Sequence, residues 1–323
     1  MYMDETKHVA VLWQEALDGL CLLPGDTIID ATLGGGGHTL LFHAAVGNTG
    51  RVISLDMDQE ALDRFSRRVK NDPDLATAER NGQILTRYAN FAEIGSVVEE
   101  IGLEQVDAIF ADLGYSSDQI EDDARGLSFL KDGPLDMRLD QSSGETAAHI
   151  VNVWAEDSLA ELFSEMGDEE CARSIARAIA QTRKEHAFVR TRELAEVVKQ
   201  AIPMRVSAKR KTHPATKVFQ ALRIAVNDEY GNLERFLEQS VDLLVSGGRL
   251  GVISFHSGED RIVKQFFRRM LKGCECPPEF PVCVCHKKPK MKNASREPIM
   301  ATEKEVSENP RSRSAKLRFA EKC

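Results

Sequence analysis

Short apolar runs that alternate with helical patterns constrain the fold of this 323-residue chain more than any other feature. Thr27–Ala31, Arg51–Asp56 and Val106–Asp112 are such runs, and a weaker one lies at residues 84–89. Amphipathic patterns typical of helices separate them, for example at residues 59–70. This alternation predicts an α/β fold with a mostly parallel, doubly wound sheet.

A long gap separates the fourth strand pattern from the next one, Arg249–Phe255. The gap is far longer than one crossover helix needs, and several helical patterns fill it. We therefore predict an α/β domain formed by residues 1–136 and 213–323, interrupted by a small all-α domain at 137–212. The alternation at Ser314–Ala320 predicts an edge strand near the end of the chain.

The composition is that of an ordinary globular protein, with 42% hydrophobic and 29% charged residues. No apolar run approaches the length of a transmembrane helix, and residues 1–10 lack the apolar core of a signal peptide. We therefore expect a soluble, cytoplasmic protein. Because the cytosol keeps thiols reduced, we expect no disulfide framework from the seven cysteines.

The net charge of −9 argues against nucleic-acid binding by the molecule as a whole. Residues 203–217 and 287–323 are nevertheless basic. Local positive charge matters more than the total for contact with phosphates. The alternative for each segment is a solvated surface without a ligand.

The strongest local motif is Asp30–His38, which contains four consecutive glycines directly after the first strand pattern. A strand, a glycine turn and a helix start bring backbone N–H groups against a ligand. Asp56 ends the second strand pattern, where a carboxylate can accept hydrogen bonds from ribose hydroxyls. The motif therefore indicates a site for a nucleoside-containing cofactor.

Three interpretations of the glycine motif stay open. A dinucleotide needs a third glycine for its pyrophosphate, and Thr39 stands at that place. S-adenosylmethionine has no pyrophosphate, and the acid at Asp30 suits its cationic methionine end. The third interpretation is a plain glycine turn, and the pattern favours S-adenosylmethionine.

Asp112 ends the fourth strand pattern and begins the segment DLGYSS. Because ligands of open α/β sheets bind at the carboxyl ends of strands, Asp112, Asp56 and the glycine motif are expected at one crevice. The segment is similar to the Asn/Asp-Pro-Pro-Tyr loop of amino-directed base methyltransferases. By analogy, the Asp112 carboxylate can accept hydrogen bonds from a substrate amine, and the ring of Tyr115 can stack on a base. The alternative is an aspartate that caps a turn.

Three further segments contain chemically useful residues. His256 follows the strand pattern Arg249–Phe255 and is expected at the same sheet edge, although a lone histidine is more often structural. Residues 213–223 begin a helix whose basic residues can contact phosphates. The alternative is an ordinary helix N-terminus exposed to solvent. A cluster near the C-terminus fits either a structural zinc site or four buried thiols. Its members are Cys274, Cys276, Cys283, Cys285 and His286.

Six motifs occur in the order found in one methyltransferase family. They are DATLGGGGHT, DLGYSS with RGLSF and PLDMR downstream, HPATKVFQALRIAVNDE, ISFHSGEDR, CECPPEFPVCVC and NPRSRSAKLR. From about His8 to Lys322 the chain resembles the ribosomal RNA small subunit methyltransferase H family, the 16S rRNA cytosine-N4 methyltransferases.

The resemblance implies a class I S-adenosylmethionine-dependent methyltransferase fold, Rossmann-like, with an inserted helical domain. It implies methylation of the exocyclic N4 of a decoding-centre cytosine in 16S rRNA within the small ribosomal subunit. It implies RNA binding and a cytoplasmic location, with no membrane and no metal in the active site. It is also compatible with a homodimer.

The family's cofactor contacts fall on the glycine motif, on strand ends and on the loop after the fourth strand. By resemblance these residues are Gly36, Gly37, His38, Asp56, Phe91, Asp112 and Gln119. For catalysis we expect Asp112 to accept the N4 hydrogens, Tyr115 to stack on the cytosine and His256 to face the substrate.

The chain departs from the family pattern at Tyr115, usually Val, at Gly258, usually Leu, and near Ala10, where a Pro is usual. These departures bear on substrate handling more than on cofactor binding. The sequence argues against two other functions. A missing third glycine argues against an NAD-dependent oxidoreductase, and the intact motif argues against a non-catalytic RNA-binding ribosome-assembly factor that retains a cofactor pocket.

Overall fold

The structure is a computed structural model that describes residues 10–114, 124–210, 212–274, 276–277, 279–282, 284–285 and 287–323. The chain forms two compact units. The first lies within residues 1–114 and 231–323, and the second within residues 115–230.

An eight-stranded sheet forms the centre of the first unit, in the order β3-β2-β1-β4-β5-β8-β6, with β7 also paired to β8. The strands are β1 Thr27–Asp30, β2 Arg51–Asp56, β3 Ile84–Tyr88, β4 Val106–Asp112, β5 Leu244–Ser254, β6 Met291–Lys292, β7 Ile299–Met300 and β8 Lys316–Lys322. Strands β1 to β5 are parallel, and β8 runs antiparallel to β5. The predicted α/β class with a mostly parallel sheet is confirmed.

Helices connect the parallel strands and make up the second unit. They are α1 Trp13–Leu20, α2 Gly37–Val46, α3 Gln59–Asn71, α4 Pro73–Arg80, α5 Ile94–Glu100, α6 Ala147–Val153, α7 Glu156–Glu165, α8 Ala172–Thr182, α9 Thr191–Ala201, α10 Met204–Ser207, α11 Thr216–Val226, α12 Glu229–Leu243, α13 Ser257–Lys272 and α14 Glu303–Glu308. None of the helices in the described part of the chain combines the length and apolar character needed to cross a membrane.

Alternating residues of the strands bury opposite faces of the sheet. Ile29 and Ile53 pack on the face that includes Phe236 of α12. Their neighbours Ile28 and Val52 pack on the other face, which α1 and α2 cover. Both faces are buried, so these strands are continuous apolar runs and not alternating ones.

Two strands differ from their predictions. Ser314–Ala320 was predicted as an edge strand, which is wrong: β8 lies between β5 on one side and β6 and β7 on the other. The covering strands are only two residues long and leave no sequence pattern. Strand β5 begins at Leu244, five residues before the predicted Arg249. Residues 247–248 were expected as a turn before the strand, but they lie in an irregular stretch within the pairing of β5 with β4.

The second unit is helical, with its own buried core. Phe163 of α7, Ile175 of α8 and Leu194 of α9 are fully buried in it. The unit is wider than the helical domain predicted at 137–212, because Leu135 and the apolar face of α11 pack in the same core. The domain bounds themselves stay a prediction.

Candidate active site

The parallel strands of the first unit end together at one edge of the sheet in polar residues. Asp30 ends β1, Asp56 ends β2, Asp112 ends β4 and Ser254 ends β5. This is the edge at which open α/β sheets bind ligands. Asp56, Asp112 and the glycine motif therefore lie at one edge of the sheet, as the strand pattern predicts, and their service as a ligand site stays a prediction.

Backbone hydrogen bonds fasten the glycine loop, residues 31–36, to the strand ends beside it. The Ala31 N–H donates to the Phe110 carbonyl at 2.8 Å, and the Leu33 N–H donates to the Leu55 carbonyl at 2.7 Å. The loop is therefore held between β4 and β2, the two neighbours of β1.

Two glycines of this loop have a left-handed backbone, for different reasons. Gly34 has φ +49° and Gly36 has φ +75°, a region in which a Cβ is strained. A Cβ on Gly36 would lie 2.3 Å from a ring carbon of Phe65, so this glycine lets the loop pack on α3. A Cβ on Gly34 would meet no atom of the described residues within 4 Å. Gly34 therefore borders open space.

Asp56 is turned toward this loop. Its Oδ2 accepts the Gly34 N–H at 2.8 Å and its Oδ1 accepts the Asp58 N–H at 2.8 Å. Burial raises the pKa of Asp56, and these two hydrogen bonds lower it in part. Each carboxylate oxygen has a second lone pair, so the group can accept two more donors.

Asp30 lies inside the fold. Its side chain is fully buried and accepts the Thr39 hydroxyl at 2.6 Å, while the same hydroxyl lies 2.9 Å from the Ser54 hydroxyl. Burial raises the pKa of Asp30 to about 7, and the negative charges of Asp112 and Asp56 add to the shift. Asp30 also accepts the Thr32 N–H at 3.3 Å, so this buried side chain supports the glycine loop from inside the fold.

His38, in the first turn of α2, is buried with only 6% of its surface exposed. Its Nε2 donates to the Val11 carbonyl at 3.0 Å, since a carbonyl can only accept. Burial lowers the pKa of His38 to about 4, so the ring is neutral and its Nδ1 lacks a proton. The side chain packs against Phe110 at a centroid distance of 4.7 Å, which is a core position.

Asp112 is positioned by its backbone. Its N–H donates to the Thr32 hydroxyl at 2.7 Å, which ties the end of β4 to the glycine loop. The side chain is 22% exposed, and its Oδ2 lies 3.7 Å from Nδ1 of His38. Among the described residues, the buried Oδ1 has no hydrogen-bond partner.

The pKa of Asp112 is raised to about 7. Burial is the main cause, and the negative charge of Glu259 adds to it, whereas the Gly114 N–H and the positive charge of Arg311 oppose it. Near neutral pH this carboxyl therefore exists in both protonation states, which suits a proton acceptor.

His256 caps a helix. Its Nδ1 accepts the Glu259 N–H at 3.4 Å, and the Glu259 carboxylate accepts the N–H of His256 in return, so the two form a capping box at the start of α13. Its Nε2 lies 3.1 Å from the same carboxylate. The cap accounts for Nδ1 alone, and the predicted contact of His256 with substrate stays a prediction.

Phe91 follows β3 at the same edge and is half-buried, with its ring edge-on to Phe236 at 5.4 Å. It combines a core contact with an exposed part, as a residue beside an adenine would. Tyr115 and Gln119 lie outside the described residues.

Sequence reasoning missed three contributors to the site. Thr32 holds Asp112, Gly34 borders open space beside Asp56, and Arg311 acts on the Asp112 charge. Gly34 and Thr32 stood inside a recognised motif. Arg311 lies about two hundred positions away in the chain, and only the paired β8 brings its segment to this edge.

Ion pairs neutralise much of the predicted basic surface. Arg210 is 11% exposed and pairs with the buried Glu169, and Lys217 donates to the Asp168 carbonyl. Arg318 is 3% exposed and pairs with Asp260 at 2.7 Å. These side chains are committed within the fold, whereas Lys209 and Arg205 are exposed.

Comparisons of the sequence with known proteins identify one family. Residues 5–323 match the MraW methylase family. The chain belongs to this family. A Geobacter sp. (strain M21) relative is 45% identical over 99% of this chain and 100% of its own, and a Paenibacillus sp. (strain JDR-2) relative is 46% identical over 98% and 99%. Both are called ribosomal RNA small subunit methyltransferase H.

The similarity of this chain to solved structures is weaker. An rRNA methylase from Streptococcus thermophilus has a TM-score of 0.39 at 12% identity, covering 100% of this chain and 99% of its own. A Streptococcus mutans protein in complex with SAH has a TM-score of 0.41 at 13% identity, covering 98% and 100%.

The chain is therefore an S-adenosylmethionine-dependent methyltransferase, built on a mostly parallel α/β sheet. The residues at the sheet edge fit that cofactor. Burial raises the pKa of Asp30, Asp56 and Asp112, and the charges of Asp56 and Asp112 raise that of Asp30 further. This environment favours a sulfonium cation and disfavours a pyrophosphate.

Proposed function

We propose that this MraW methylase transfers a methyl group to the exocyclic N4 of a cytosine in the 16S rRNA of the small ribosomal subunit. The observation that carries the proposal is the set of relatives, 44–46% identical over nearly the whole chain, that are called ribosomal RNA small subunit methyltransferase H. The motif-by-motif resemblance supports N4 of cytosine as the acceptor.

The glycine loop and strand ends would hold the cofactor. Gly37 and His38 would contribute backbone N–H groups, because the first N–H groups of a helix have no carbonyl partner within it. Gly36, whose own N–H donates to the Leu33 carbonyl at 2.7 Å, is proposed as a contact by resemblance. Asp56 would accept the ribose hydroxyls with its remaining lone pairs, and Phe91 would lie beside the adenine. Gln119, outside the described residues, is proposed by resemblance alone.

S-adenosylmethionine supplies an activated methyl group when bound, so the chain's residues are left with positioning and proton transfer. Cytosine N4 is a poor nucleophile because its lone pair is delocalised into the ring. Holding N4 in line with the methyl carbon contributes up to about 7–11 kcal/mol to lowering the barrier. Extrusion of the base from its stack gives N4 access to the site.

Asp112 is the proposed proton acceptor. As N4 is methylated it loses a proton, and the Asp112 carboxylate takes it. Two observations support this assignment: the side chain is 22% exposed at the sheet edge, and its raised pKa makes this carboxylate a stronger base than a solvated one. Tyr115 is proposed to stack on the cytosine and His256 to face the substrate.

The cellular location of the reaction and the surface that binds the RNA are proposed as well. We place it in the cytoplasm, on RNA bound through exposed basic residues. The residues predicted as an inserted domain, 137–212, supply some of these. A homodimer remains compatible with the resemblance.

The test uses small ribosomal subunits from a strain that lacks this modification. The full chain is incubated with them and with labelled S-adenosylmethionine, and the RNA is digested for nucleoside mass spectrometry. The proposal expects label in one N4-methylcytosine of 16S rRNA. Label in another nucleoside would contradict the substrate assignment. Cofactor binding without transfer would support the non-catalytic assembly factor instead.

A further inference from the structure

The loop between α13 and β6 has no regular secondary structure in its described residues. Its two ends meet: the Lys290 N–H donates to the Met270 carbonyl at 3.0 Å, and a Cβ on Gly273 would lie 2.4 Å from the backbone of Pro289. A closed loop of this length needs an internal organiser, since ordering its backbone costs roughly 1–2 kcal/mol per residue.

Apolar packing does not organise this loop. Phe280, Val282 and Val284 are 51%, 71% and 61% exposed. The cysteines are the more sheltered side chains: Cys274, Cys276 and Cys285 are only partly exposed. Because its apolar side chains stay exposed, hydrophobic burial does not hold this loop together.

The three sulfur atoms converge. The Sγ atoms of Cys274, Cys276 and Cys285 all lie within 4.8 Å of one another, and those of Cys274 and Cys285 are 3.8 Å apart. A disulfide requires about 2.05 Å. A tetrahedral zinc with Zn–S bonds of about 2.3 Å places its sulfur ligands about 3.8 Å apart.

We propose that Cys274, Cys276 and Cys285 bind a single structural zinc ion that holds this loop closed. Each thiol loses its proton to solvent on binding, and the resulting negative charge is flanked in sequence by Lys272, Lys287 and Lys288. Cys283 and His286, which the sequence also offers as ligands, lie outside the described residues. The site is separate from the sheet edge described above and takes no part in methyl transfer.

Metal analysis of the full chain, purified with a reductant and without chelator, tests the proposal. The wild type is expected to contain about one zinc per chain, and Cys274→Ser or Cys285→Ser to lose most of it. Cys323→Ser is the matched control, because Cys323 is exposed and its sulfur is not among the three that converge. Its zinc content should equal that of the wild type.

Cobalt substitution gives a second readout that needs no variant to fold. Co²⁺ added to the metal-depleted wild type should give the intense thiolate-to-metal absorption of a tetrahedral sulfur site, which zinc then displaces. Zinc far below one equivalent together with no such absorption would overturn the proposal. Iron in place of zinc, or zinc retained in Cys274→Ser and Cys285→Ser, would overturn it as well.

Discussion

At the scale of single residues, the site depends on the protonation states of two neighbouring groups, His38 and Asp112. His38 is neutral because its Nε2–H is committed to a carbonyl and its ring is buried. Its bare Nδ1 cannot donate to Asp112, so it does not lower the pKa of that carboxyl. Asp112 therefore keeps a raised pKa and an unpartnered Oδ1 among the described residues.

The first prediction concerns the pH dependence of the enzyme. Asp112 must be deprotonated to accept a proton, and its pKa in the folded chain is raised to about 7. Activity should therefore be full above pH 7 and fall as pH drops through that value. Measured as kcat/KM for S-adenosylmethionine, which reports the free enzyme, the profile should lose about tenfold per pH unit below the break. The residual activity of Asp112→Asn should show no break near pH 7; a break that survives in this variant would assign it to another group.

The second prediction separates two neighbouring glycines. Gly34→Ala places a Cβ in open space, so it should cost only the left-handed strain of about 1–2 kcal/mol in unfolding free energy. It should also weaken cofactor binding by about tenfold, or about 1.4 kcal/mol. Gly36→Ala should be the more destabilising of the two, because its Cβ meets Phe65. Urea unfolding and calorimetric titration measure both quantities. Equal cofactor affinity in Gly34→Ala and the wild type would remove Gly34 from the site.

Much of this residue-level picture could be predicted from sequence. Asp56 and Asp112 were found because each ends an apolar run, and a parallel sheet gathers such ends. The burial of His38 could not be predicted, because it depends on Val11 and Phe110 from distant strands and turns. The same holds for Thr32, whose hydroxyl gains its role only when β4 lies beside the glycine loop.

At the scale of elements, His256 stabilises the N-terminus of α13. The capping box of His256 and Glu259 satisfies backbone donors that would otherwise be lost at the helix end. His256→Ala should lower the unfolding free energy by about 1 kcal/mol, whereas His256→Asn should restore it because asparagine is a good cap. Urea unfolding gives the stabilities. If His256→Ala is as stable as the wild type, the cap has no energetic role.

The same pair tests the predicted contact of His256 with substrate. His256→Asn keeps the cap and removes the imidazole. Loss of methyl transfer in both variants would support the contact, and loss in His256→Ala alone would assign the whole effect to the cap.

Sequence patterns predicted the bounds of the strands better than the order in which the strands pair in the sheet. β2 and β4 have the predicted bounds because turn residues flank each run. The place of β8 inside the sheet depends on β6 and β7, two-residue strands held by pairing and not by any periodicity of their own. Pairing of this kind is decided by tertiary structure, which a single sequence does not display.

At the scale of the whole molecule, the question is how a chain with a net charge of −9 binds RNA. Ion pairs within the fold take up basic residues such as Arg210 and Arg318, so runs of Lys and Arg in the sequence overstate the charge offered to phosphates. Exposed residues such as Lys209 remain for that contact.

A salt titration of two adjacent residues tests this distinction. The logarithm of kcat/KM for the RNA should fall linearly with the logarithm of salt concentration, and Lys209→Ala should reduce the slope by about 0.7–0.9, the value for one phosphate contact. Arg210→Ala is the control: it should keep the slope but destabilise the fold by about 3–5 kcal/mol, since Glu169 is left buried and unpaired. A slope unchanged in Lys209→Ala would show that this residue contacts no phosphate.

The most direct measurement compares the wild type with Asp112→Asn in two assays on the same preparations. Calorimetry gives the affinity for S-adenosylmethionine, and a single-turnover reaction with small subunits gives the rate of methyl transfer. If Asp112 is the proton acceptor, the rate with bound cofactor should fall by about 10²–10⁴-fold in Asp112→Asn, beyond any loss of affinity from its expected contact with the cofactor. Full transfer by Asp112→Asn at unchanged affinity would contradict the proposed role of Asp112.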